Sequence, residues 1–175
     1  MKYLATLMSV LILVFMLVFS QFKAQTQANN FEYLRIHIRA NSNNEIDQNI
    51  KYQIKDAVVD FLIPYLSTCE SKKDAEFIIE QNLKSLESVA NTILKQNNFD
   101  YESNAKLCLE NFPTRNYGNL ILESGFYDAL ILDLGQAKGD NWWCVVYPPL
   151  CFVNGSTTVN VYKSRILEII NSFFS

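Results

Sequence analysis

Phe31-Glu32-Tyr33-Leu34-Arg35-Ile36-His37-Ile38-Arg39-Ala40 runs directly into Asn41-Ser42-Asn43-Asn44-Glu45, and this stretch joins the two kinds of element from which the fold is built. Leu34, Ile36 and Ile38 alternate with Arg35, His37 and Arg39. A period of two puts the aliphatic residues on one face and the cationic ones on the other, which is the pattern of a half-buried strand. Ser42 and Glu45 have capping-box spacing, in which hydroxyl and carboxylate satisfy free backbone donors at a helix start. Ile46, Ile50, Ile54, Ala57, Val58, Phe61, Leu62 and Tyr65 then recur at threes and fours. They form one apolar stripe on a helix of about twenty residues that ends at Pro64.

After a polar connection at 67–73, Ala75, Ile78, Ile79, Leu83, Leu86, Val89, Ala90, Ile93 and Leu94 predict the buried face of a second helical region, broken at most once. Tyr101, Ser103, Ala105, Leu107 and Leu109 alternate with polar residues, giving a second strand. Residues 112–118 read as a loop. Residues 120–122 and 126–134 read as a hairpin turning at Glu123-Ser124-Gly125. A turn at 154–156 and a short closing helix over 162–174 complete the chain. One strand, two helices and then several strands predict an α+β fold: a single two-layer domain with helices packed on a mostly antiparallel sheet.

The chain has 175 residues. Residues 3–19 are uncharged and apolar and follow Lys2, close to the ~17-residue lower limit for crossing a bilayer. Residues 1–24 are therefore expected to be a signal peptide or signal anchor, and residues 25–175 an exported domain. The formal net charge of −3, with no Lys/Arg cluster, argues against a nucleic-acid partner and against an anionic membrane surface. Any membrane contact is expected through the N-terminal segment alone.

Asn141-Trp142-Trp143-Cys144-Val145-Val146-Tyr147-Pro148-Pro149-Leu150-Cys151-Phe152 holds both tryptophans, two of the four cysteines and two of the four prolines. Valines and aromatics favour an extended backbone, and Pro148-Pro149 forces a turn or kink. The plain reading is a buried strand with an aromatic core patch. If the segment doubles back, Cys144 and Cys151 reach the ~4.4–6.8 Å between α-carbons that a disulfide needs. Cys69 and Cys108 read as buried thiols.

Catalytic patterns are weak. His37 is the single histidine. Its type suits a base, a ligand or a pH sensor, against the plainer reading of a partly exposed strand residue. Cys-His catalysis needs an activated thiolate beside it, and no local signature supplies one. G-x-S-x-G is missing, and a C-x6-C pair with one distant histidine is not a zinc set. Residues 135–139 lack phosphate-loop spacing. No catalytic residue, metal or cofactor is assigned. The residues favour an exported binding or signalling domain over an enzyme.

Leu34-Arg35-Ile36-His37-Ile38-Arg39-Ala40-Asn41-Ser42, with Asp47-Gln48, Lys51 and Lys55-Asp56-Ala57-Val58, resembles the opening of the stage II sporulation protein R family. Phe112-Pro113-Thr114-Arg115, Tyr117-Gly118, Gly125, Tyr127, Ala129-Leu130 and the block N-W-W-C-x-x-x-P-P-L-C extend the resemblance over about residues 33–152. Asn43, Lys55, Glu123-Ser124 and Tyr147 depart from the family's usual residues. The resemblance implies export from the forespore of an endospore-forming bacterium into the intermembrane space. There such proteins activate a membrane-embedded aspartic peptidase that processes the mother-cell sigma-factor precursor. Aromatic side chains dominate interfaces, so the contact is expected at Trp142, Trp143, Tyr147, Pro148, Pro149 and Phe152, with Arg115 and Tyr117. A competing assignment puts it on the face of Arg35, His37 and Arg39. The alternatives in function are an envelope thiol hydrolase using Cys144 or Cys151, and an envelope-binding module.

Overall fold

A computed structural model of the chain describes residues 8, 11–16, 32–117, 120–152 and 157–174. The chain divides into two units, residues 1–32 and 33–175. In the first, residues 11–16 are helical, with exposed apolar side chains. Among the described residues no helix is long and apolar enough to cross a membrane. Most of the expected leader, and the expected turn at 154–156, lie outside the described residues.

The second unit runs β1 (Leu34–Arg39), α1 (Glu45–Leu66), α2 (Lys72–Gln96), β2 (Ser103–Phe112), β3 (Arg115–Tyr117), β4 (Leu120–Leu122), β5 (Gly125–Leu134), β6 (Asn141–Tyr147), a 3-10 turn (Leu150–Phe152) and α3 (Thr157–Phe174). Four strands form a sheet in the order β2-β5-β1-β6. Only the central β1–β5 pairing is parallel; β2–β5 and β1–β6 are antiparallel. The architecture is α+β, as the element order predicts.

Leu34, Ile36 and Ile38 of β1 join Leu130, Leu132 and Leu134 of β5 on one sheet face. Against it pack Ile50, Ile54, Val58 and Leu62 of α1 and Ala75, Ile79, Leu86, Ala90 and Leu94 of α2. At about 1.5–3 kcal/mol for each large aliphatic side chain fully buried, this layer is the main stabilising term. Helix α2 is unbroken over its 25 residues, and its N-cap Ser71 accepts from the Asp74 N–H.

Several local expectations are corrected. No capping box forms: the N-cap of α1 is Asn44, without a side-chain bond. Ser42 Oγ instead donates to Asp47 Oδ2 at 2.6 Å. Pro64 lies inside the last turn of α1 rather than after it. Residues 112–118 are not simply a loop, and 120–122 does not pair with 126–134. Leu120–Leu122 pairs with Arg115–Tyr117, and Gly125–Leu134 with Ser103–Phe112. Both ladders keep one register, because Phe112 faces Gly125 and Arg115 faces Leu122. They are the base and tip of one long hairpin, bent where Pro113 cannot donate to a ladder. Thr114 Oγ1 accepts from the Ser124 N–H at 3.0 Å at the bend.

Candidate functional site

The bent tip lies across the sheet face opposite the helices. Beneath it a second core forms from Tyr33, Phe112, Leu122, Tyr127, Ala129, Ile131 and Val145. Arg35 and His37 point into this core, since the period of two turns them away from the helical layer. The expected half-buried strand with an exposed cationic face is therefore corrected: Arg35 is 0 % exposed and His37 2 %. Local alternation cannot reveal that aromatic rings from β2, β5, β6 and the hairpin tip close over the polar side of β1.

The Arg35 guanidinium sits 4.1 Å from the Phe112 ring centroid, 4.7 Å from Tyr127 and 5.8 Å from Tyr117. Nη2 donates to the Tyr117 hydroxyl at 2.8 Å, while Nε and Nη1 have no hydrogen-bond partner among the described residues. No carboxylate among those residues pairs with it, so ring faces rather than a counter-ion offset its burial. Burial lowers its pKa, and Tyr117 and Tyr127 act in the opposite direction. Tyr127 in turn donates to the Glu123 carbonyl at 2.6 Å, fixing the returning arm of the hairpin.

His37 stacks on Trp143 with ring centroids 3.5 Å apart, and Phe112 closes on both edge-on. Neither imidazole nitrogen has a partner at hydrogen-bond geometry among the described residues. Burial, then the charges of Arg39 and Arg35, push its pKa down to about 3, with Asn141 opposing. The ring is therefore neutral in the folded protein. A histidine depressed below its unfolded value near ~6.5 binds fewer protons folded than unfolded, so stability falls as pH drops through that value. Between about pH 7.5 and about pH 5 this group alone should cost about 2 kcal/mol. Urea unfolding of His37→Phe, which keeps the stack, should show that part of the pH dependence gone; an unchanged slope would assign it elsewhere.

The tryptophans do not form one patch. Adjacent strand residues face opposite ways: Trp142 packs towards the helical core with Lys55 Nζ 5.8 Å from its ring, whereas Trp143 lies on the other face with Arg115 at 5.6 Å. Both are partly exposed; Tyr147, Pro148 and Pro149 are buried, Arg115 is exposed and Tyr117 half-buried. The Phe152 side chain lies outside the described residues. The fold thus brings Trp143, Arg115, Tyr117, Arg35 and His37, which the sequence divided between two competing surfaces, together and leaves Trp142 apart. Phe112 and Tyr127, the rings that close the site, were missed as site residues: Phe112 stands on the polar-patterned face of β2, opposite the apolar alternation that ends at Leu109, and Tyr127 lies on β5, so no local pattern marks them.

Cys144 and Cys151 form a disulfide with α-carbons 6.0 Å apart, pinning the turn after β6 onto that strand. Cys69 is buried and its thiol is pushed up to about 11, chiefly by burial. Cys108, expected buried, is half-exposed, because β2 is a sheet edge; desolvation raises its pKa too. Neither thiol carries the depressed pKa of an activated nucleophile. No group of three potential metal ligands occurs among the described residues.

A second polar cluster closes the far end of β1. Asp47 accepts from Asn41, Ser42 and Tyr101 at 2.6–2.9 Å. These bonds outweigh burial and lower its pKa. Buried Lys51 donates to Gln48 Oε1 at 2.6 Å and the Asp140 carbonyl at 2.9 Å. Asn41 also holds the loop at Gly135, whose φ of 55° suits glycine, by accepting from the Gln136 N–H. With its partners satisfied, this cluster serves the fold.

Residues 30–157 match the family model described as Stage II sporulation protein R. The chain is 32% identical over 123 residues to the Stage II sporulation protein R of Bacillus subtilis (strain 168), a match spanning 70% of this chain and 55% of that protein. No solved structure matches. The matched region takes in the whole sheet, the bent hairpin and the disulfide-pinned turn, and on that breadth the chain belongs to the stage II sporulation protein R family.

Proposed function

We propose that this chain acts in endospore formation as an exported signalling protein. It activates, from the intermembrane space, a membrane-embedded aspartic peptidase that processes the mother-cell sigma-factor precursor. Membership of the family carries this reading. The site supports a binding role: its polar groups lie buried under aromatic rings, and neither free thiol is activated. Activation requires that the chain bind one state of the peptidase better than another.

The surface we assign to that contact is Trp143 with Arg115 and Tyr117 on the hairpin tip. Arg115 is exposed and Trp143 partly so, and an Arg–aromatic pair is a common interface anchor. Arg35 and His37 hold this surface from beneath. Co-expression with the candidate peptidase and the sigma precursor tests both levels. Precursor cleavage should depend on this chain, and no gain on adding it would reject the signalling role. Arg115→Ala, which alters an exposed side chain, should fold normally and lower cleavage about tenfold or more, the scale of a hot-spot residue. Wild-type cleavage by that variant would move the contact elsewhere.

A further inference from the structure

Strand β2 is an edge of the sheet, and only half of that edge is protected. Its even-numbered residues face β5, since the Glu102 carbonyl accepts from the Gly135 N–H and the ladder continues from there. Its odd-numbered residues face outward. At the first two of these, α2 reaches over: Ser103 N–H donates to Asn91 Oδ1 at 2.7 Å and Ala105 N–H to Glu87 Oε1 at 3.0 Å. Beyond them, Leu107, Leu109 and Asn111 have no such cover among the described residues, and Leu109 is 59 % exposed. An uncovered edge of this kind is a template for another strand.

We propose that the occupant is a second copy of this chain, its β2 antiparallel to the first and centred on Cys108. The side chains choose both partner and register. Centring on Cys108 sets Lys106 opposite Glu110 of the other copy, twice over, on the face away from the helices. On the helical face it sets Leu107 opposite the other copy's Leu109, again twice. Centring on Leu109 would instead put Glu110 against Cys108 and Lys106 against Phe112. Centring on Glu110 would oppose two like charges, which is destabilising.

The charges already form rows across the sheet: Lys106 pairs with Asp133 at 3.2 Å and Arg39 with Glu110 at 2.9 Å. Pairing through Cys108 continues those rows into the second sheet. The outward residues Leu107 and Leu109 then exchange backbone bonds with their counterparts, and Cys108 falls at a non-hydrogen-bonded position. Facing α-carbons there lie ~4.5 Å apart, within the ~4.4–6.8 Å range a disulfide spans.

That geometry supplies a site-specific probe. The full chain, purified in mild detergent at low micromolar concentration, is treated with oxidised glutathione. Two Cys108 thiols are oxidised to one disulfide while one oxidised glutathione is reduced to two thiols. Wild type should give a covalent dimer on a non-reducing gel, and Cys108→Ser none. Leu109→Pro removes a backbone donor the single chain does not use, and proline is tolerated on an edge strand. It should keep the wild-type unfolding midpoint and lower Cys108 cross-linking about tenfold or more, since each copy loses one bond. Leu109→Lys gives the same comparison should the proline variant fail to fold. Absence of a Cys108 link in wild type, or undiminished linking in a folded Leu109 variant, overturns the proposal.

Discussion

Phe112→Ala should lose about 3–5 kcal/mol of stability, the range for deleting a buried aromatic ring. Against the ~5–15 kcal/mol that typically separates folded from unfolded domains, that is a large share. The ring is 1 % exposed and touches Arg35 on one side and Tyr127, Trp143 and His37 on the others. Its removal opens a cavity and strips a buried cation of its nearest aromatic face at once. Leu109→Ala, three residues earlier but exposed, should change stability by no more than about 0.5 kcal/mol. Urea unfolding of the two variants gives the comparison. A Phe112→Ala loss below about 1 kcal/mol would mean the second core relaxes into the space and does not depend on that ring.

The second large effect separates charge from volume. Arg35→Ala should cost about 3 kcal/mol or more, because it empties a packed site and leaves the Tyr117 hydroxyl without its donor. Arg35→Met fills most of the volume without burying a cation. Replacing a buried ion pair by apolar side chains of similar size is often neutral or stabilising by about 1–4 kcal/mol, and a buried cation without a counter-ion recovers still less of its desolvation cost. The methionine variant should therefore match or exceed wild type in unfolding free energy. It should also release the hairpin tip, since the Arg35–Tyr117 bond is lost. Limited trypsin digestion reads that release as faster cleavage after exposed Arg115. If methionine destabilises as much as alanine, the charge itself holds the core together and this account of the site fails.

Which parts were legible in the sequence follows from how local each signal is. The strand, the two helices and their apolar stripes were readable because period two and period 3.6 are properties of neighbouring residues. The disulfide was readable as a possibility because its cysteines are close and flank a proline turn. The hairpin was mispaired because its tip ladder has only three residues in each arm, too few for alternation to stand out, and because Pro113 interrupts the pattern. Ser42 and Glu45 had the right spacing for a cap, but Asp47 competed for the hydroxyl. The cationic face of β1 looked solvated because what buries it comes from residues 112, 117, 127 and 143, distant in sequence. The two tryptophans looked like one patch, although β6 turns them to opposite faces.

The single register of the bent hairpin also bears on how this chain can vary in length. An insertion of one residue into either arm, between the sheet and the tip, would leave the ladder at Ser103–Leu134 intact but turn every side chain beyond it to the other face. Tyr117 and Leu122 would then face water and the core over Arg35 would lose its roof. Changes beyond the Tyr117–Leu120 pair carry no such penalty. Divergence among related chains is thus free to add residues between Tyr117 and Leu120, while the arms are held to a fixed count by a guanidinium on a different strand.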